Sequence, residues 1–217
     1  MARAAHLEIN HDPEPIRLFK SDFLEFFSHI HPVVVLVIWL PVVAYFLGSA
    51  IYNPPPQVAG RSAHITIGFL AGLFLWTLAE YVGHRFVFHY EPRTPRQEWI
   101  VFMFHGIHHL QPQCKTRLVM PPAVSVPMAI LFYMAFYLIL GVALGAPHWI
   151  APIYAGFILG YLSYDMIHYA THHFPMRWGI LKYLKRYHML HHYRTPDQRF
   201  GVSSPLWDVV FGTEPAN

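Results

Sequence analysis

Val33–Tyr52 reads VVVLVIWLPVVAYFLGSAIY, a run of 20 residues without a charged side chain. As an α-helix this run would be about 30 Å long, which is enough to cross the hydrocarbon core of a bilayer. Pro41 lies inside the run, and membrane helices tolerate an internal proline. A helix of a soluble bundle would show a polar stripe at helical spacing, and this run shows none. We therefore predict that it spans a membrane.

Three further apolar runs follow along the chain, so that the sequence predicts an all-α integral membrane protein with four transmembrane helices. We place the spans at about residues 33–52, 64–82, 123–146 and 149–167, the last from the shortest apolar run. Ahead of them, residues 16–30 carry phenylalanines at roughly helical spacing after the possible cap Ser21, which predicts an interfacial helix or, alternatively, a core-packing one. Residues 1–15 are expected to be a flexible N-terminus and residues 16–217 a single domain.

The composition supports a membrane protein and excludes other classes. Of the 217 residues, 54% are hydrophobic and only 12% are charged, whereas soluble domains carry roughly 25% charged residues. A single cysteine, Cys114, rules out an internal disulfide and any four-cysteine metal site. The net charge of +3 could indicate nucleic acid, but basic residues scattered in so apolar a chain fit loops that face anionic lipid, and we expect no nucleic-acid partner.

The distribution of basic residues predicts the orientation of the chain. Fourteen of the 15 lysines and arginines lie on one side of the predicted spans, and only Arg61 lies on the other. The positive-inside rule then places both termini and the segments 83–122 and 168–217 in the cytoplasm. The N-terminal sequence lacks the apolar core of a signal peptide. We expect the inner membrane if the protein is bacterial and the endoplasmic reticulum membrane if it is eukaryotic.

Eleven of the 17 histidines fall into four boxes that follow the predicted spans. Positions three and four apart lie on one face of a helix, so each triplet is expected to present its imidazoles to one point. The first box has its histidines five apart, which predicts that they touch two different metals or span the end of a helix. The boxes are HRFVFH with His84 and His89, HGIHH with His105, His108 and His109, HYATHH with His168, His172 and His173, and HMLHH with His188, His191 and His192.

So many imidazoles exceed the need of one zinc ion, which uses four ligands at most in a tetrahedral site. Eight to eleven nitrogens suit two metals with five or six ligands each, and neutral imidazole favours iron, copper, nickel or zinc. Glu80 and Asp165 precede two of the boxes, within or at the end of a span. A carboxylate is costly there, so either side chain is a candidate acceptor for the outer N–H of a ligating histidine, or else a residue at the end of a span. Direct ligation of a metal by Asp165 is a third, weaker alternative.

The order of the boxes around the spans resembles the fatty acid hydroxylase superfamily of integral-membrane di-metal oxygenases. The resemblance is carried by RLFKSDFLEFF, AEYVGHRFVFH, FHGIHH followed by RLVMPP, GYLSYDMIHYATHH and LKRYHMLHHYRTPDQRFGVSSPLWDVVFGT, from about Ile16 to Thr213. RLVMPP and the tail GVSSPLWDVVFGT are most similar to the fatty acid 2-hydroxylase branch. The resemblance implies ligation of two irons by His84, His89, His105, His108, His109, His168, His172, His173, His188, His191 and His192. It also implies a cytoplasmic helical cap around the site, and the addition of one hydroxyl, with dioxygen and two electrons, to the carbon next to an acyl carbonyl.

The same resemblance implies partners and a substrate. No haem signature precedes residue 16, so the electrons are expected from a separate protein, a ferredoxin or a small cytochrome with its reductase. Zinc can occupy the sites of a purified protein, because it also accepts imidazole ligands. The lipid's acyl chain would extend between the spans with its carbonyl held near the metals. Candidates for holding the carbonyl are Tyr164, Tyr169, Tyr187, Tyr193 and Arg117, each of which can instead be an interfacial residue.

Two alternatives remain open from the sequence. The first keeps the chemistry and changes the substrate: a hydroxylase or desaturase that acts on a sterol, a carotenoid or the headgroup of a polar lipid. The second is a histidine-rich metal transporter, which should place its ligands along a path through the membrane. Because the boxes gather on one predicted side, the sequence favours the enzyme.

Overall fold

The computed structural model describes residues 9–12, 14–53 and 60–215. Residues 1–8 and 13 of the predicted flexible N-terminus lie outside these ranges. Every regular element within the described ranges is a helix, as the sequence predicts. The α-helices are α1 Asp22–Phe26, α2 Pro32–Tyr52, α3 Arg61–Gly83, α4 Pro95–Val101, α5 Ile107–Leu110, α6 Pro122–Phe136, α7 Ile150–His173, α8 Gly179–Tyr193 and α9 Leu206–Val210.

The four predicted spans are present as long apolar helices. They cover Pro32–Tyr52, Arg61–Phe88, Pro122–Ala143 and Pro147–His173, including a π-helical turn at the end of the second and a π-helical stretch in the third. They run up and down in chain order, so that α2 and α6 begin at the end of the bundle where α3 and α7 finish. Of the remaining helices, α4, α5, α8 and α9 form a cap at that same end.

The interfacial helix predicted over residues 16–30 is much shorter than expected. Only Asp22–Phe26 is helical. The Glu25 carboxylate accepts the backbone N–H groups of Leu18 and Phe19 at 2.9 and 2.8 Å, which holds the preceding residues in a non-helical path. Ser21 occupies the N-cap position, but its side chain makes no capping hydrogen bond.

The fourth span is longer and more buried than its apolar run suggested. α7 extends through the third histidine box to His173, and it is the most buried of the four candidate spans. Neighbouring spans contact α7 from several sides: Tyr161 packs edge-on against Trp39 of α2, and Phe157 packs against Trp76 of α3. A central helix can carry polar residues because protein, rather than lipid, surrounds them.

Two glycines allow α3 and α7 to approach very closely. A Cβ atom on Gly72 would lie 2.0 Å from the carbonyl oxygen of Ile153, and one on Gly156 would lie 2.0 Å from that of Phe69. Small residues at the contact let membrane helices pack backbone to backbone. This packing fixes the relative positions of the C-terminal ends of α3 and α7, where two of the histidine boxes lie.

Candidate metal centre

Ten of the eleven box histidines gather in two groups of five at the capped end of the bundle. Within each group, one candidate ligand atom from every residue lies within 4.8 Å of all the others. The first histidine cluster contains His84, His89, His105, His109 and His191. The second histidine cluster contains His108, His168, His172, His188 and His192. The clusters adjoin each other, since the rings of His109 and His192 stack at 4.1 Å between centroids.

Nε2 atoms converge inside each cluster. In the first, the Nε2 of His105 lies 3.0 Å from that of His84 and 2.9 Å from that of His109. In the second, the Nε2 of His108 lies 2.9 Å from those of both His168 and His192. Imidazole Nε2 atoms that lie this close together are typical of a set of ligands that surrounds one metal cation.

The boxes divide between the clusters according to helical phase, which corrects the prediction that each triplet meets at one point. Pairs four apart stay together: His105 with His109 in the first cluster, and His188 with His192 in the second. The third member turns away, so that His108 joins the second cluster and His191 the first. Adjacent residues of a helix point about 100° apart, because one turn takes 3.6 residues. A triplet of this spacing therefore serves two neighbouring sites.

His84 and His89 belong to the same cluster, which argues against the prediction that they touch two different metals. The alternative, that they span the end of a helix, is confirmed. His84–Phe88 forms a π-helical turn in which the N–H of His89 donates to the carbonyl of His84 at 3.0 Å. Bonding between residues five apart brings the two imidazoles to one face. Such turns occur often at functional sites.

Two backbone carbonyls orient histidines of the first cluster. Nδ1–H of His84 donates to the carbonyl of Phe200, and Nδ1–H of His191 donates to that of Gln198 at 2.7 Å. A neutral imidazole that donates from Nδ1 has its lone pair on Nε2. The Nε2 lone pairs of both residues therefore point into the cluster, which is the arrangement that a metal ligand needs.

Burial keeps the cap histidines uncharged. It lowers the pKa of His89 to about 2 and that of His191 to about 4, with the neighbouring histidines adding to the effect for His89. The same cause holds the pKa values of His105, His108 and His188 well below the ordinary histidine value. At neutral pH these imidazoles can bind a metal without first losing a proton. The donor set thus fits two metals, each within reach of five imidazoles.

His173, the eleventh box histidine, lies outside both clusters. Its ring packs on Tyr169 with centroids 4.6 Å apart. It follows His172 directly, so helical phase turns it about 100° away from the second cluster.

Glu80 and Asp165 do not accept an N–H from a box histidine in the described structure, so the predicted contact is wrong for both. Glu80 accepts the backbone N–H groups of Val202 and Ser203 at 2.7 and 2.8 Å, together with the Ser203 hydroxyl. Asp165 lies 3.3 Å from the backbone N of Met120, which donates to it. Both carboxylates are buried, and each ties a loop of the cap to a membrane helix.

Asp208, which sequence reasoning missed, supports the first cluster from outside it. It is fully buried and accepts the backbone N–H groups of Phe200 and Gly201 at 2.9 and 2.7 Å, and the hydroxyl of Thr213 at 2.6 Å. It therefore holds in place the loop whose carbonyls orient His84 and His191. The tail GVSSPLWDVVFGT carried the family resemblance, but a carboxylate that positions a carbonyl leaves no spacing signal.

An apolar cavity of about 270 Å³ reaches both clusters. His105 of the first cluster and His108 and His168 of the second lie in its wall. Most of the remaining lining is apolar and comes from residues 18–27, from the 103–107 segment and from the start of α6. A lipid chain that enters this cavity would meet the imidazoles of both clusters.

Only two of the five predicted substrate residues line this cavity, namely Tyr164 and Arg117. The Tyr164 ring stacks on His168 with centroids 5.7 Å apart. The Arg117 guanidinium is engaged by Glu25 and the carbonyl of Ile16, both at 2.6 Å, so a structural role competes with substrate binding. The structure does not bring Tyr169, Tyr187 or Tyr193 to the cavity: Tyr169 packs on His173, Tyr187 lies near the Arg199 guanidinium, and Tyr193 is 45% exposed.

Comparison with known proteins gives the family. Residues 69–213 match the model of the fatty acid hydroxylase family, and the chain belongs to that family. It is 36% identical to the dihydroceramide fatty acyl 2-hydroxylase FAH1 of Arabidopsis thaliana, over 92% of this chain and 80% of that protein. It is 41% identical to the ceramide very long chain fatty acid hydroxylase scs7 of Schizosaccharomyces pombe and 36% identical to human fatty acid 2-hydroxylase, over 89% and 94% of this chain.

A solved structure, described as full-length scs7p with only its hydroxylase domain visible, has the same fold. The TM-score is 0.79 at 37% identity, over 90% of this chain and 70% of that one. The chain spans only about half the length of the fission yeast and human relatives, 54% and 58%. The similarity therefore concerns the part of those proteins that this chain covers.

Proposed function

We propose that the protein is a membrane-bound lipid hydroxylase that places one hydroxyl on the 2-position of a long fatty acyl chain, either free or in a ceramide-type lipid. The observation that carries this proposal is the pair of five-histidine clusters at the wall of an apolar cavity. Relatives named as fatty acid and dihydroceramide fatty acyl 2-hydroxylases support the position and the substrate class.

The two clusters would each hold one iron ion, although zinc can take their place during purification. Bound iron would supply the activation of dioxygen, with two electrons from a separate ferredoxin or small cytochrome and its reductase. The chain's own part is to hold neutral imidazoles with their lone pairs turned inward. Its apolar walls, which include Phe88, Met103 and Ile107, exclude water from the reacting groups.

Regioselectivity requires that the acyl carbonyl be held so that only the neighbouring carbon comes within reach. Tyr164 is the candidate for this role, because it lines the cavity and lies on His168. We expect Tyr164→Phe to lower kcat/KM by about 10-fold or more if its hydroxyl binds the carbonyl in the transition state. Arg117 is a weaker candidate, since Glu25 and Ile16 already engage its guanidinium.

The orientation of the site belongs to the same proposal. The concentration of basic residues in the segments that follow the spans supports a cytoplasmic location for both clusters and both termini. A cytoplasmic site gives soluble electron-transfer proteins direct access to the cap. Labelling of Cys114→Ser variants that carry single cysteines near each terminus, in sealed vesicles of known orientation, tests this placement.

The direct test compares lipid extracts of cells that express the protein with extracts of cells that express His108→Ala. We expect acyl chains that gain one oxygen atom, with fragmentation that places the hydroxyl on the carbon next to the carbonyl. The variant provides a matched background, since it removes one nitrogen of the second cluster and leaves the spans intact. The gain should be absent from its lipids.

Other products would identify the alternatives. Loss of two hydrogens from an acyl chain would indicate a desaturase, and an added oxygen on a headgroup, a sterol or a carotenoid would change the substrate. Either result would reject the proposed 2-hydroxylation while leaving the metal centre unaffected.

A further inference from the structure

The N-terminal strap, which we define as residues 14–30, has a place in the molecule that the proposed chemistry does not explain. It runs across the segment that carries the second histidine box and leads directly into α2, which begins at Pro32. Leu18, Phe19, Leu24 and Phe27 of the strap all line the cavity that reaches the histidines. One wall of the cavity is therefore made by a segment that carries none of the box histidines.

Buried polar groups fasten this strap. Arg117 donates to the Glu25 carboxylate and to the Ile16 carbonyl, both at 2.6 Å, and the side chains of this ion pair are only 2% and 14% exposed. Gln111, which is fully buried, accepts the backbone N–H of Ile16 at 2.9 Å and donates to the carbonyl of Glu14 at 3.0 Å. These contacts tie the strap to the segment between the second box and α6.

Glu25 is held as a carboxylate. Its partial burial opposes ionisation, but the amides of Phe19 and Leu18 and the charge of Arg117 outweigh this effect and lower the pKa of Glu25. Glu25 thus organises the strap on both sides, because one oxygen binds Arg117 and the other accepts the two strap amides.

The strap also carries aromatic side chains that are exposed on the surface of the protein. Phe23 and Phe26 are 72% and 73% exposed, and Leu24 and Phe27, which line the cavity, are still 49% and 43% exposed. The wall of the cavity also includes Pro121, Ala123 and Val124, where the membrane helix α6 begins. The cavity is therefore lined both by a segment with exposed aromatic residues and by the end of a membrane span.

We infer that the strap and the first turn of α6 form a lateral entrance from the bilayer, and that Leu24 and Phe27 determine which acyl lipids reach the histidines. The inference rests on the proposed function for the identity of the lipid. Arg117 and Glu25 act as positioning residues that hold this wall against the cavity. One wall of a hydrophobic pocket can discriminate between chains that differ by one methyl group by about 10-fold or more.

Photo-crosslinking tests the entrance without requiring turnover. A ceramide with a photoreactive diazirine on its acyl chain is incorporated into vesicles that contain the protein, and the labelled peptides are mapped. We expect label in residues 14–30 and 118–124, and a loss of at least about fivefold in Leu24→Trp and Phe27→Trp, which fill the cavity. Ile139→Trp, on an exposed lipid-facing surface of the third span, is the matched control and should keep the parent's labelling.

A substrate pair tests the specificity. For a straight-chain ceramide and a methyl-branched one, Leu24→Ala and Phe27→Ala should shift the ratio of kcat/KM towards the branched chain by at least about fivefold. Glu25→Gln should reduce the discrimination similarly and speed tryptic cleavage after Lys20. Asp22→Asn, which alters the exposed Arg17–Asp22 ion pair, should change the substrate discrimination and the rate of tryptic cleavage by less than about twofold.

The outcomes separate this inference from the proposed function. If the labelling of residues 14–30 is unaffected by both tryptophan variants, or if the label lies elsewhere, the entrance is refuted even when the parent hydroxylates ceramide. If the labelling behaves as expected but no lipid gains oxygen, the entrance stands and the proposed reaction fails. An unchanged preference in Leu24→Ala and Phe27→Ala, with the parent active, would refute the role of these two side chains in specificity.

Discussion

The two histidine clusters have similar ligand sets but different supports. In the first cluster, the carbonyls of Phe200 and Gln198 accept the Nδ1–H groups of His84 and His191. In the second, the Nδ1 atoms of His108, His172 and His188 have no hydrogen-bond partner within the described residues. Two histidines of the first cluster are therefore oriented by the C-terminal loop, whereas these three of the second are oriented by the helices that carry them.

This difference follows from the elements that supply each cluster. The second cluster takes four of its five histidines, as pairs four apart, from two long helices, α7 and α8, whose packing helps to fix their direction. The first cluster takes His84 and His89 from the π-helical end of the second span, His105 and His109 from the second box, and only His191 from α8. An outer hydrogen bond raises the basicity of a ligand and fixes its tautomer. We expect the first cluster to depend on distant residues more strongly than the second.

The largest effect should come from removing one histidine of either cluster. We expect His191→Ala and His108→Ala each to lower turnover by at least about 100-fold, more than the loss of an outer hydrogen bond would. The protein should still insert into membranes, because neither residue contributes to the apolar surface of the spans. Product formation per inserted protein measures the effect. His148→Ala, at the opposite end of the bundle, should retain turnover, and full activity in both cluster variants would disprove the ligand assignment.

The next effect should distinguish the clusters. In Asp208→Asn one acceptor for the amides of Phe200 and Gly201 becomes a donor, so the carbonyl of Phe200 should shift away from His84. We expect metal affinity to fall by about 10- to 100-fold at the first cluster only. Competition with a graded chelator measures the two sites separately. Asp197→Asn, an exposed carboxylate in the same loop, is the control, and equal weakening of both sites would show that the two clusters share their support.

A smaller effect is expected from Glu80, which fastens the same loop to α3. Glu80→Gln keeps an oxygen that accepts the backbone N–H groups of Val202 and Ser203, but it replaces the acceptor of the Ser203 hydroxyl with an NH₂ group. It should lower the free energy of unfolding by about 1–2 kcal/mol. Thermal unfolding in detergent measures this change, and the exposed Glu98→Gln should leave it unaltered. A fall in activity without any loss of stability would instead assign Glu80 a role at the metals.

The smallest effect concerns His173. It lies outside both clusters and packs on Tyr169, so His173→Ala should keep its full metal content and change turnover by less than about twofold. Metal analysis of the purified variant provides the test. Loss of one metal ion would return His173 to the ligand set and would change the composition of the second cluster.

The sequence predicts the membrane helices well because hydropathy over 20 residues is a local property. It predicts the interfacial helix poorly because the Glu25 carboxylate, which bonds to Leu18, Phe19 and the distant Arg117, competes with helix formation. The sequence also underestimates the length and the burial of α7, because a helix that is surrounded by protein does not need a long apolar run. In each case the error arises from a tertiary contact.

In the candidate site, too, local features can be predicted from the sequence and features that depend on tertiary contacts cannot. Spacing identifies the four boxes, but only the packing of the helices shows that His108 and His191 exchange partners between boxes. The π-helical turn that unites His84 and His89 has no signal in the spacing either. The supports of the first cluster are backbone carbonyls, and every residue has one, so composition cannot reveal which of them is used.

The most direct test of the central claim is the metal content of the iron-reconstituted protein and of one variant from each cluster. The account predicts two metal ions per chain in the parent, and about one in His191→Ala and in His108→Ala, with the remaining ion bound at the intact cluster. A parent that binds a single ion at saturation, or variants that both keep two, would contradict the assignment of two separate five-histidine sites.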